Sequence, residues 1–284
     1  MAKCYRSELV GVFGCPIDEN PTGVMEEAAF AAKGLDFRYI TMKVEKDDLE
    51  AAMKGLRAVN MRGINLTIPH KVNAVKLVDE LSPEAQVIGA INVVVNKNGV
   101  LWGDNSDGKG FMKSLTDRGI DAAGKTFTIL GAGGAARAIA VEAAMHGASK
   151  INIVNVSARG EELSALINEK TQAKAEYISW IPGIKVPEET DILVNATPLG
   201  LYPNVNERPD IDYSSITPEM TVCDVIFNDP NTLFLQAAAG QGAETVNGLG
   251  MLANQGAINF TLWTGVEAPV DVMTETLKKE FNLK

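Results

Sequence analysis

The stretch TFTILGAGGAARAIA, residues 126 to 140, decides the fold of this chain. Thr126 to Leu130 make a short apolar run of the kind a buried strand needs. The run ends at Gly131-Ala132-Gly133-Gly134-Ala135-Ala136, and a small-residue helical pattern continues to about Gly147. This is G-x-G-x-x-A set between a strand and a helix. Gly131 permits the tight turn, Gly133 lets a pyrophosphate approach the backbone, and Ala136 lets the helix pack on its strand. The start of the helix adds unpaired N–H groups, so Ala132, Gly134 and Ala135 join the cofactor loop. A glycine turn that serves packing alone is the bland alternative. The next apolar run, INIVNV at 151 to 156, supports the dinucleotide reading.

The end of that next strand should separate the two nicotinamide dinucleotides. NAD uses an acidic side chain about 20 residues past the glycines, whereas NADP needs positive charge and small donors around its 2′-phosphate. Here the segment is Asn155-Val156-Ser157-Ala158-Arg159, with no acid before Glu161. The expected cofactor is NADP or NAD, with NADP favoured. Asn155 is placed near the adenosine ribose, and Ser157 and Arg159 at the phosphate, although an arginine just inside a loop also reads as a surface charge. An acidic helical segment from Glu161, then DILVNATPLG and TVCDVIF, continue the alternation of strand and helix.

Upstream, ELVGVFG at 8 to 14 reads as a buried strand, and VMEEAAFAAKG, from Val24, as a helix ended by Gly34. FRYITMKV is a second strand, DDLEAAMKGLRAV a second helix, GINLTI a third strand broken by Pro69, and KVNAVKLVDEL a third helix. Asn98-Gly99 marks a hairpin turn, and a glycine-rich crossing leads to a helix near Lys109. The fold class is α/β. A mostly parallel α/β substrate domain, residues 1–104 completed by about 240–284, precedes a Rossmann-type NAD(P) domain, residues 105–239, with the final helices packing back on the first.

Composition narrows the function. A chain of 284 residues with 46% hydrophobic residues can fill two ordinary cores. Its 36 acidic and 26 basic residues give a net charge of -10, which weighs against nucleic-acid and anionic-membrane partners and leaves small molecules. Cys4, Cys15 and Cys223 are too few for a disulfide framework or a zinc site and suit a reducing compartment. With His70 and His146 as the only imidazoles, a histidine-based metal site fails on supply, and no metal is expected. No run reaches the roughly 18 apolar residues of a membrane helix, and MAKCYRSELV lacks the apolar run of a leader. A cytoplasmic enzyme is expected, and a homodimer is left open.

Two polar clusters stand out. GINLTIPHK places Asn65, Thr67 and Lys71 at the end of a strand, where open α/β sheets bind ligands. Asn92 and Asn105-Ser106-Asp107-Gly108 lie near the expected boundary. A lysine beside a carboxylate in a closed cleft can exchange a proton with a substrate hydroxyl. On spacing alone, Lys71 also reads as a surface lysine, Asp107 as a turn former, and Asn65 and Thr67 as strand-end partners of the backbone.

GCPIDENP (14–21), NLTIPHK (65–71), GAINVVV (89–95), GDNSDGKG (103–110), GAGGAA (131–136), NATPLG (195–200), FNDPNTLFLQAA (227–238) and GLGMLANQGAINFTLWTG (248–265) together resemble the shikimate dehydrogenase family, including its quinate/shikimate branch. The resemblance runs nearly end to end. It implies reversible NAD(P)-dependent oxidation of shikimate, a small ring hydroxy acid, to 3-dehydroshikimate. On the matching positions, Lys71 and Asp107 are implied as the catalytic pair, with Lys71 moving the proton. Asn65, Thr67, Asn92 and Gln255 are implied as hydrogen-bond partners of the substrate. Asn195, Ala196, Thr197, Gly248 and Met251 are implied on the cofactor side.

The departures bear on specificity. Where the family has two serines that bind the substrate carboxylate, this chain has Asn20 and Thr22, with Glu19 beside them. An inward Glu19 would weaken shikimate binding. Phe227 replaces a usual tyrosine, and Val156 a usual phosphate-stacking arginine. Glu26 and Glu27 replace His and Asn and, as helical positions, read as solvated. Quinate or a modified ring acid as substrate, with NAD preferred, is the alternative expectation, and a non-catalytic dinucleotide sensor the remote one.

Overall fold

A computed structural model describes residues 5–283, so Cys4 lies outside the described residues. The chain forms two compact units, one from residues up to Ser106 and from Gln255 onward, the other from Asp107–Asn254. The return to the first unit comes later than the position near 240 expected from sequence. The cause is a strand, Glu244–Val246, that pairs within the second unit's sheet.

The first unit contains β1 (Glu8–Gly14), α1 (Thr22–Ala32), β2 (Phe37–Lys43), α2 (Leu49–Ala58), β3 (Gly63–Leu66), β4 (Glu80–Leu81), α3 (Pro83–Ile88), β5 (Val93–Lys97) and β6 (Val100–Asp104). Its sheet runs β2-β1-β3-β5-β6-β4. β1 pairs in parallel with β2 and β3, and β4 with β6, while β3-β5 and β5-β6 are antiparallel. The β5–β6 pair is joined by the Asn98-Gly99 hairpin, whose φ angles of 56° and 94° give the doubly left-handed turn that matches strand twist. α1 ends at Gly34, φ 65°, where Leu35 N–H donates to Phe30 O at 2.9 Å.

KVNAVKLVDEL does not form the expected helix. It makes a 3₁₀ segment at Asn73–Leu77 and then β4. β-Branched Val72, Val75 and Val78 weaken a helix there. Asp79 is drawn to β6 instead: its N–H donates to Leu101 O at 2.8 Å, its carboxylate accepts Leu101 N–H at 2.7 Å, and Arg57 pairs with it at 2.8 Å. The helix of this region is α3. Ser82 caps it by accepting Ala85 N–H at 3.1 Å, Pro83 opens it, and Gly89, φ 68°, closes it.

The second unit contains most of α4 (Ser106–Thr116), then β7 (Thr126–Leu130), α5 (Gly134–Met145), β8 (Lys150–Asn155), α6 (Arg159–Lys170), β9 (Lys174–Ser179), β10 (Ile184–Lys185), β11 (Ile192–Asn195), β12 (Ile211–Asp212), β13 (Thr221–Asp224), α7 (Leu233–Gly240) and β14 (Glu244–Val246). α8 (Leu249–Thr264) starts in this unit, and α9 (Val270–Glu280) belongs to the first. The sheet β14-β13-β11-β7-β8-β9 is parallel throughout. This is the doubly wound order, and its direction reverses between β7 and β11, where such sheets bind ligands. α4 begins at Ser106, ahead of the position near Lys109 expected from sequence. Its early glycine has a packing cause: a Cβ at Gly108 would stand 2.4 Å from Ala138 O of α5.

Within the first unit α9 lies along α1. Gly256 of α8 is the close-approach point, where a Cβ would stand 2.1 Å from Met25 Cε and 3.2 Å from Met273 Cε. Among the described residues, no helix is long and apolar enough to cross a membrane, and no group of three or more His, Cys, Asp or Glu is placed to hold a metal ion.

Candidate active site

In the first unit, three residues expected at the substrate fall on one hydrogen-bonded line. Thr22, the first residue of α1, is buried and is a side-chain hydrogen-bond partner of the Tyr39 hydroxyl. That hydroxyl donates to Asn65 Oδ1 at 2.9 Å, and Asn65 Nδ2 donates to Asn92 O at 3.1 Å. Asn92 continues the line, its Oδ1 accepting Ser106 N–H at 2.7 Å. Adjacent strands explain the alignment, since Asn65 and Val93 are register partners on β3 and β5. Tyr39 is the link that sequence reasoning missed. Its position in FRYITMKV gave only an alternating strand.

Thr67 and Lys71 flank a turn. Thr67 N–H donates to Phe13 O at 3.0 Å, Thr67 O accepts His70 N–H at 2.8 Å, and the Ile68-Pro69 bond is cis. Lys71, half-buried, anchors its backbone by accepting Ile91 N–H at 2.9 Å. His70, fully buried, places Nε2 2.8 Å from Val44 O. Asn20 Oδ1 accepts Thr22 N–H at 3.0 Å, so this residue shapes the entry to α1. Gln255 is buried on α8, with Oε1 accepting Asn259 Nδ2 at 3.1 Å.

The α1 acids depart from expectation. Glu26 is fully buried rather than solvated, one turn beyond Thr22 on the same face, and among the described residues neither carboxyl oxygen has a hydrogen-bond partner. Burial pushes its carboxyl well above the usual range, which favours the uncharged form. Burial and then the Glu26 charge push the Tyr39 hydroxyl up. Glu27 accepts Tyr39 N–H, and Glu19 is exposed.

In the second unit, Gly131 takes φ 107°, a conformation L side chains rarely adopt, and a Cβ there would stand 3.1 Å from Ala196 O. The turn therefore lies at the β7/β11 reversal. Gly133 and Gly134 are exposed, with open space where a Cβ would point, and Ala132 and Ala135 are half-buried beside them. α5 starts at Gly134 with no side-chain cap and no acid in its first turn. Those N–H groups suit a pyrophosphate.

At the end of β8, Asn155 Nδ2 donates to Ser157 O at 3.1 Å and to its Oγ at 2.9 Å, shaping the loop. Arg159 is the first residue of α6 rather than a loop residue, and it makes no ion pair among the described residues. A cation and a hydroxyl with no carboxylate at the strand end fit NADP. Asn195 is fully buried. Its Nδ2 donates to Asp224 Oδ1 at 3.0 Å, and its Oδ1 accepts Thr197 N–H at 3.1 Å and Thr197 Oγ1 at 2.6 Å. Gly248 N–H donates to Ile226 O at 3.1 Å, and a Cβ there would stand 2.5 Å from the Val225 and Ile226 oxygens. Met251 packs on this unit's core, and Phe227 is half-buried in the loop after β13. Asp107 is buried in the first turn of α4.

A family model described as "Shikimate dehydrogenase substrate binding domain" matches residues 12–94, and one described as "Shikimate 5'-dehydrogenase C-terminal domain" matches residues 248–278. The chain is 42% identical over 279 residues to a shikimate dehydrogenase (NADP(+)) of Desulforamulus reducens, covering 97% of this chain and 96% of that protein. Among solved structures, the ligand-free 5-ketofructose reductase of Gluconobacter sp. strain CHM43 is 45% identical, with a TM-score of 0.93 over 98% of this chain and 100% of that one. The shikimate 5-dehydrogenase of Listeria monocytogenes, solved with shikimate and NAD, is 38% identical, with a TM-score of 0.89 over 95% of this chain and 96% of that one. Related along nearly its whole length, this chain belongs to the shikimate dehydrogenase family of NAD(P)-dependent oxidoreductases that act on CH–OH groups.

Proposed function

We propose that this chain moves hydride reversibly between NADP and a secondary alcohol of a polyhydroxylated small molecule. The observation that carries the reading is the left-handed Gly131 turn at the β7/β11 reversal, in a chain related end to end to dinucleotide-dependent dehydrogenases. The bound dinucleotide supplies the hydride acceptor. Gly131 to Ala135 hold its pyrophosphate, Asn155, Ser157 and Arg159 its adenosine end, and Asn195, Ala196, Thr197, Gly248 and Met251 its nicotinamide side. Lys71 takes the hydroxyl proton as the alcohol becomes a ketone and returns it in reduction, and Asp107 is the second catalytic residue. Thr22, Asn65, Thr67, Asn92 and Gln255 orient hydroxyls, and a lost partner in such a polar site is costly.

The first reaction of this class to test is the one the relatives' names carry, shikimate to 3-dehydroshikimate. Initial rates with shikimate and quinate, each with NADP and NAD, should show at least tenfold higher kcat/KM with NADP. A second reading, reduction of a sugar ketone as in the Gluconobacter relative's name, is favoured by Asn20 and Thr22 standing where the family has two serines, with Asn20 Oδ1 taking the Thr22 N–H. 5-Ketofructose with NADPH therefore belongs in the same panel. Absence of turnover across the panel would sink the hydride-transfer reading.

A further inference from the structure

The entry to α1 is where a family member would meet the acidic end of its substrate, and here two of its backbone donors are already used. Thr22 N–H is taken by Asn20 Oδ1 at 3.0 Å, and Val24 N–H by Pro21 O at 3.1 Å. Those groups would otherwise be the first anion donors of the helix. The charges agree. From Gly14 to Ala32 the chain carries Asp18, Glu19, Glu26 and Glu27 and no lysine or arginine. The basic residues of β2 are engaged on the exposed side, Arg38 with Asp36 at 3.4 Å and Lys43 with Glu45 at 2.8 Å. One turn beyond Thr22 on α1, the Glu26 carboxyl is fully buried and has no hydrogen-bond partner among the described residues.

We propose that this subsite receives an uncharged, hydroxyl-bearing end of the substrate and not a carboxylate, with Asn20 and Glu26 as its specificity-determining residues. The proposal rests on the hydride-transfer reading above and names its substrate class: an uncharged polyhydroxy ketone and the alcohol it is reduced to. A carboxylate brought here loses its hydration and meets no lysine or arginine of the Gly14–Ala32 segment. An uncharged hydroxyl finds the Asn20 amide NH₂ and the hydroxyl line that runs from Thr22 through Tyr39 to Asn65.

The test compares kcat/KM for three probes with the intact enzyme: shikimate and its uncharged methyl ester, each oxidised with NADP, and 5-ketofructose, reduced with NADPH. At least one uncharged probe should exceed shikimate tenfold or more, the difference lying in KM. Shikimate equal to or better than both uncharged probes would overturn the proposal and leave the hydride-transfer reading standing. No turnover of any probe with either dinucleotide would overturn both. Asn20→Ser/Thr22→Ser and, separately, Glu26→His should each lower the KM for shikimate at least threefold, with the KM for NADP little changed. The serine pair provides the readout if Glu26→His fails to fold. An unchanged shikimate KM in the folded variants would overturn the assignment.

Discussion

Asn195 donates its side-chain amide to Asp224 at 3.0 Å, fastening together the carboxyl ends of neighbouring parallel strands β11 and β13. The same carboxylate accepts Thr232 Oγ1 at 2.7 Å and Ile226 N–H at 3.1 Å, while the other face of Asn195 holds Thr197. One buried acid thus positions both the loop at 195–197 and the loop carrying Phe227. Asp224→Ala would strand a buried amide and a hydroxyl, at a cost of about 1–3 kcal/mol for each unsatisfied group. The expected result is a lower Tm and a raised KM for NADP. A variant with the wild-type Tm and KM would remove Asp224 from this positioning role.

The same acid sets a pH dependence. Burial pushes its carboxyl up to about 6, against the donors from Thr232, Ile226 and Asn195, which pull it down. A folded value above the unfolded one means that folding favours the protonated form. Its contribution is therefore fully present below about pH 4 and is lost as pH rises through about 6, on the order of 3 kcal/mol in all. Asp224→Asn, which does not titrate, should flatten this part of the stability curve. Denaturant titrations of both proteins at pH 4, 5, 6 and 7 check it, and parallel slopes would count against it.

Lys71→Met and Asp107→Asn should each lower kcat/KM by about 10²–10⁴, the usual worth of a positioned acid or base. NADP binding, followed by fluorescence titration, should stay within about threefold of wild type. A comparable loss of NADP affinity would show that the substitutions act through folding or cofactor binding instead of proton transfer.

At the end of β8, Arg159→Ala should raise the KM for NADP about tenfold and leave that for NAD unchanged, since only the first has a 2′-phosphate. Equal effects on the two dinucleotides would mean that Arg159 acts as a helix-start charge alone.

The β7–α5 loop was legible in the sequence because backbone geometry dictates its glycines, and Gly131 at φ 107° is the clearest case. The Asn98-Gly99 turn was legible for the same reason. KVNAVKLVDEL was misread because its helical spacing competes with tertiary pairing of Asp79 to Leu101, which no local window contains. The helix at Pro83–Ile88 was announced by Ser82, Pro83 and Gly89 and went unread. Within the site, Asn65 and Asn92 could be picked out as polar residues in apolar strands. Tyr39 and Glu26 could not, because an aromatic in a strand and an acid in a helix are ordinary until their burial is known.

The first unit is closed by both ends of the chain, with Met25 of α1 and Met273 of α9 meeting at Gly256. Order of synthesis then matters. The residues of the doubly wound sheet emerge contiguously and can fold as they leave the ribosome, whereas α1 waits through the whole of that sheet for its apolar neighbours. Until α9 arrives, Met25 lacks part of its cover, so a chaperone that shields nascent apolar surface has its longest task at the amino-terminal half.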